Sequence, residues 1–148
     1  MATQELSGAL SSTDHEGTAP IERLRVQVAR LEESLRIQRE ARDADLATMR
    51  DLSIPEAKRA EAEGSFQSAA WEILSLQGQI REYKAVQAAA VSYQTHARHA
   101  AKLAAKAEIG HDLLAVDIRA WELAEDYMAS ARATLTKAGR LDLIEVAS

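Results

Sequence analysis

The sequence predicts an all-α protein: a long-helix coiled coil or helical bundle with three principal helices and a flexible N-terminal arm. Three observations carry this prediction. Alanine, the strongest helix former, occurs thirty times in 148 residues, against one Phe, two Trp and three Tyr. Ile21, Leu24, Val28, Leu31 and Leu35 are spaced 3, 4, 3 and 4 apart, the a/d repeat of a helix that buries a narrow seam against another helix. The two prolines, Pro20 and Pro55, each head a long helical interval, and no run alternates apolar and polar residues with β-branched enrichment as a strand would.

Composition bounds the function. An apolar fraction of 47% argues against wholesale disorder, but with so much of it alanine a globular core would be thin. The net charge of −5 disfavours nucleic acid as a partner. The absence of cysteine removes disulfides, thiolate metal sites and thiol catalysis. Residues 1–12 carry neither a basic n-region nor an apolar core, and no run reaches the roughly 18 apolar residues of a membrane span. The expectation is a soluble cytoplasmic protein, or a virion-associated one if the source is viral.

Residues 1–19 form the acidic arm, with Glu5, Asp14 and Glu16 and no Lys or Arg. Leu6 and Leu10 are the anchors it would offer a partner. Residues 20–139 form the bundle, with helices at about 20–52, 54–108 and 112–138. Thr18 is the expected cap of the first helix, and Pro20 is pre-set for its first turn. The seam is clean to Leu35. Gln38 and Arg42 then take seam positions before apolar residues return at Leu46, so the helix either stutters or leaves its middle in solvent. Ser53 with Glu56 reads as a capping box and Pro55 as a first-turn residue, so a hairpin of antiparallel helices is expected.

The second helix has two chemistries. Phe66, Ile73, Leu76, Ile80 and Tyr83 make a bulky seam, expected to partner residues 21–35. Ala90, Gln94, Ala97, Ala101 and Ala104 continue the register as a small-residue seam, assigned here to contact between copies of the chain. Gly64-Ser65 is a weak point where a fresh helix could start. Uninterrupted, the helix would run roughly 80 Å at 1.5 Å per residue, more than one small domain covers. Gly110 is expected as a C′ residue and Asp112 as the next N-cap. The third helix is apolar over a wide arc, with Leu113, Ile118, Trp121 and Met128 among its packing residues. It is therefore expected to be the most buried element. The tail 140–148 holds Leu141, Leu143, Ile144 and Val146, which either dock on the bundle or hook a partner.

Little here carries chemistry. His96 and His99 fall on the outward face beside Arg98 and Lys102, whose charge opposes a cation. Glu108 and His111 match half of a di-iron carboxylate motif, but no second copy occurs. These four are the weak metal candidates. There is no phosphate loop, nucleophile elbow or zinc-protease motif. Arg98, Lys102 and Lys106 form a basic stripe suited to an acidic partner or an anionic surface, the cluster Glu122, Glu125 and Asp126 of another copy included.

The expected function is thus non-enzymatic and without cofactor: a structural or assembly protein, for example a virion or scaffold component, that self-associates through its helical seams. On that reading Leu24→Asp or Leu31→Asp would dissociate it. A monomeric adaptor, chaperone or regulator that binds another protein through its tail or groove is the alternative, and a metal-binding helical protein a third. The Ala/Arg/Glu-rich texture is similar in composition to many phage structural proteins and bacterial assembly factors, with no diagnostic motif.

Overall fold

The structure, a computed structural model, describes residues 19–110 and 112–145. The predicted arm with Thr18, the residue His111 and the Val146 end of the tail lie outside the described residues. The fold is all-α: α1 (Ala19–Arg50), α2 (Glu56–Glu108), α3 (Ala115–Lys137) and a 3-10 turn (Leu141–Leu143), with no strand among the described residues. No helix among them is long and apolar enough to cross a membrane.

The helix α2 runs unbroken through Gly64 and Ser65, so the predicted weak point is not a break. A glycine inside a helix costs only about 1 kcal/mol relative to alanine. The seam residues Ala62, Ala69 and Ile73 on either side of it are buried and offset that cost.

The chain forms two compact units, and the boundary falls within α1 and within α2. One unit, Arg25–Lys84, is a helical hairpin. Leu35, Ile73, Leu76 and Ile80 form its core cluster, with Leu31 packed against it. The helices are antiparallel: Leu31 shares a cleft with Gln79, Asp45 with Ser65, and Met49 with Ala60. An ion pair from Lys84 to Glu32 (2.9 Å) spans them. Gln38, Arg42, Asp45, Leu46 and Met49 are half-buried, so the covered face of α1 continues past Leu35, with polar side chains among the apolar ones, and its middle is not left wholly in solvent.

The turn of the hairpin differs from the expected capping box. Asp51 Oδ1 accepts from both the Ser53 N–H (3.0 Å) and the Ser53 hydroxyl (2.6 Å), and the Asp51 carbonyl accepts from Ile54 N–H (3.1 Å). The carboxylate is the stronger acceptor, so the Ser53 hydroxyl is committed as a donor and does not cap α2. The helix α2 starts at Glu56, and the Pro55 carbonyl takes the N–H groups of Lys58 (3.0 Å) and Arg59 (3.1 Å).

The other unit combines residues 19–24 with 85–145. Its core holds Ile21, Leu24, Val86, Ala90, Leu103, Ala124, Ala131, Leu135, Leu143 and Ile144, of which Leu24 and Leu135 are the large side chains fully enclosed. The 21–35 seam therefore serves two units, with Ile21 and Leu24 in this one and Val28, Leu31 and Leu35 in the hairpin.

Here α2 and α3 run antiparallel, tied by Lys106 to Asp117 (3.0 Å), His96 stacked on Tyr127 (4.5 Å between rings), and Arg132 to the Tyr93 hydroxyl (2.9 Å). Asp112 does not cap α3. The N-cap position is Leu114, which has no capping side chain, and the Asp117 carboxylate reaches back to the Leu114 N–H (3.2 Å). Gly110, with φ +83°, occupies the left-handed conformation expected just past α2.

The helix α3 closes on a Schellman motif. Gly139 has φ +68°, its N–H meets the Thr136 carbonyl (3.0 Å), and the Arg140 N–H meets the Leu135 carbonyl (2.8 Å). The chain then turns so that Leu143 and Ile144 are buried, with the 3-10 turn against α3. Arg140 grips Asp142 through both carboxylate oxygens (3.0 and 3.2 Å).

Candidate functional site

Of the four weak metal candidates, the three described ones, His96, His99 and Glu108, do not form a metal-binding group. His96 is half-buried, its Nδ1–H donates to the Ser92 carbonyl (2.7 Å), and its ring lies on Tyr127. His99 and Glu108 are exposed, and His111 is outside the described residues. Among the described residues, no group of three His, Cys, Asp or Glu side chains is placed to hold a metal ion.

Glu33, Asp51, Asp117 and Asp142 are each held below the ordinary carboxylate range. Glu33 is lowered by its hydrogen bonds to Arg36, Asp51 by those from Ser53, and Asp142 by Arg140, aided by the charge of Arg23. Asp117 is lowered first by the Lys106 hydrogen bond, then by the Leu114 N–H, with smaller contributions from the charges of Lys106 and His99. Each is held as a carboxylate by neighbouring donors, which suits a helix clip rather than a proton donor. Lys106, engaged with Asp117, leaves Arg98 and Lys102 as the exposed part of the basic stripe.

The small-residue seam assigned to contact between copies is only partly available. Ala90 is fully buried by its own chain, Gln94, Ala97 and Ala104 are half-buried, and Ala101 is exposed. The buried residues here are Val86, Ala90 and Leu103: Ala90 keeps its expected place, while Val86 and Leu103 each lie one residue before the expected Gln87 and Ala104. The larger apolar side chains turn inward and carry the register with them.

Of the predicted packing residues, Ile21, Leu24, Val28, Leu35, Ile73, Leu76 and Ile80 are buried, and Leu31, Phe66, Tyr83, Leu113, Trp121 and Met128 are half-buried. Ile118 is 48% exposed, which corrects its placement in the core. With it falls the expectation that α3 is the most buried element: only Ala124, Ala131 and Leu135 on it are buried, while Leu114, Val116 and Leu123 are exposed on its flanks. In the tail, Leu143 and Ile144 are buried and Leu141 half-buried.

What remains open to a partner is apolar surface. Trp71 is 74% exposed and Leu74 59% exposed, one helical turn apart on the face of α2 turned away from the hairpin seam. In the other unit Ile109, Leu114 and Val116 are exposed about the α2–α3 connection. Trp71 and Leu74 fall outside the seam register and so do not stand out by heptad spacing. Their size and their 3-residue spacing were the available signal. No protein-family model, no curated protein and no solved structure matches this chain.

Proposed function

We propose that the chain is a non-enzymatic structural or assembly protein that associates with further copies of itself through exposed helix faces. One observation carries this reading: Trp71 and Leu74, large apolar side chains, stand together in solvent on a helix whose other face already has a complete seam. Exposed apolar surface of this kind marks association sites. The placement of the titratable groups supports the non-enzymatic part, since the lowered carboxylates are engaged in clips between neighbouring residues. A cytoplasmic location, or a virion-borne one for a viral chain, goes with this reading.

The adaptor reading loses its favoured hook, because Leu143 and Ile144 are covered by their own unit. Light scattering on the purified chain tests the proposal. The expected mass at micromolar concentration is a multiple of 16.2 kDa, and a mass of 16.2 kDa would overturn it.

A further inference from the structure

A face of α2 in the hairpin unit, centred on Trp71 and Leu74 away from the hairpin seam and reaching at its Glu63 end the edge of the cleft with Met49 of α1, carries an ordered series of side chains. Glu63, Gln67, Trp71, Leu74, Gly78 and Arg81 follow one another at steps of 4, 4, 3, 4 and 3 and so line one side of the helix. All except the half-buried Gly78 are exposed. This is the spacing of a second seam on the helix that carries the hairpin seam.

We infer that this face joins two copies of the chain, with their α2 helices antiparallel about a two-fold axis passing near Glu72 and Ile73. The inference rests on the self-association proposed above and names its surface. The order of the side chains is the argument. Read in reverse, the series complements itself: Glu63 comes opposite Arg81 of the second copy, Gln67 opposite Gly78, and Trp71 opposite Leu74. Two-fold symmetry makes each of these contacts twice. A parallel, in-register pairing would set Glu63 against Glu63 and Arg81 against Arg81, and like charges repel. Charge thus selects the second copy as occupant and selects the antiparallel orientation.

Gly78 is the independent detail. Glycine weakens a helix interior relative to alanine. The backbone at Gly78 has no positive φ, and a methyl group there would meet nothing within 4 Å. Its own chain therefore gives no reason for glycine at this position. The long Gln67 side chain of an antiparallel copy, lying across it, does: the missing side chain lets the two helices approach closely.

The test is sedimentation velocity on the full chain over a dilution series, with far-UV circular dichroism to confirm helicity. Trp71→Glu is expected to weaken association about 100-fold or more, the loss of a central anchor on each side. Glu63→Arg and Arg81→Glu are each expected to weaken it about tenfold, and the double charge swap to restore it, since opposite charges again face one another. If Trp71→Glu loses helicity, Leu74→Gln and the charge swap decide. A wild-type chain that is monomeric overturns both this inference and the reading it rests on. A wild-type oligomer that Trp71→Glu leaves intact overturns this inference alone. Single reversals that weaken association without rescue in the double swap overturn the antiparallel register.

Discussion

Replacing Leu135 by alanine tests whether the unit of residues 19–24 and 85–145 has a core that matters. The Leu135 side chain is fully enclosed in the last turns of α3, and its backbone carbonyl anchors the Schellman bond from Arg140, which the substitution leaves in place. The loss is therefore one of packing. Leucine-to-alanine changes in enclosed sites cost roughly 2.7–5 kcal/mol, from lost transfer energy and the cavity left behind. The neighbourhood sets the position within that range. Ala124 and Ala131 on the same helix are buried and have little side chain with which to fill the space. Collapse around the cavity is limited, so about 3 kcal/mol is the smallest effect expected. For a chain of 148 residues that corresponds to a melting point lower by about 9 °C. Urea titration followed by circular dichroism, at one fixed protein concentration, measures it, because association would otherwise add to the apparent stability. Leu114→Ala, at a position 64% exposed, is the matched control and should move stability by less than about 0.5 kcal/mol. A Leu135→Ala loss below about 1 kcal/mol would refute the assignment of this site as the tightly packed centre of its unit.

Three further outcomes follow from the local chemistry. Gly139→Ala forces a side chain into the left-handed backbone at φ +68° and should cost roughly 1 kcal/mol by the same urea assay, whereas a neutral result would mean the helix end relaxes freely. Asp117 is held below the ordinary aspartate value of about 3.9, so its clip to Lys106 and Leu114 is at full strength above that value and is lost as the pH falls through the lowered one. A carboxyl NMR titration should find its midpoint below that of Asp117-equivalent model peptides, and Asp117→Asn should remove this part of the acid sensitivity. Leu24→Asp should abolish helicity in its unit rather than dissociate copies of an intact chain, because Leu24 is fully buried and an unpaired carboxylate there has no partner or solvent; retained helicity with a reduced mass would refute this.

The helices were legible in the sequence because alanine content and heptad spacing act locally. The hairpin followed from Pro55 and from bulky residues in both arms of one seam, and the cluster of Leu35 with Ile73, Leu76 and Ile80 is that pairing. The ends of helices were less legible where several acceptors compete. Ser53 and Asp112 have the right identities for caps, but Asp51 takes the Ser53 hydroxyl and Asp117 takes the Leu114 N–H. At Ser53 a carboxylate within reach displaces the weaker hydroxyl cap, and at Leu114 two carboxylates compete and the one also paired with Lys106 is used; sequence spacing alone does not rank such alternatives. In the second half of α2 the expected register holds at Ala90 and departs by one residue at Val86 and Leu103. Heptad spacing from Tyr83 points to Gln87 and Ala104, whereas burial follows side-chain volume, and Val86 and Leu103 turn inward.

Apolar arc and apolar cover are different quantities, and this governs both α3 and the candidate site. The arc of α3 is wide, but its buried positions are mainly alanines, so a neighbouring helix that approaches closely covers only the middle of the arc and leaves Leu114, Val116, Ile118 and Leu123 outside. On α2 the same distinction hid the outer face. Ala69, Ile73, Leu76 and Ile80 keep a heptad spacing, and so do Gln67, Trp71, Leu74, Gly78 and Arg81. A register search keeps the first series because it is apolar throughout, and it treats the second as surface because an amide, a glycine and a charge interrupt it. Those interruptions are what a self-complementary contact requires: a charge to meet its opposite, and a glycine to admit a longer side chain. The residues that make the second series look unlike a core are the residues that specify its partner and its direction.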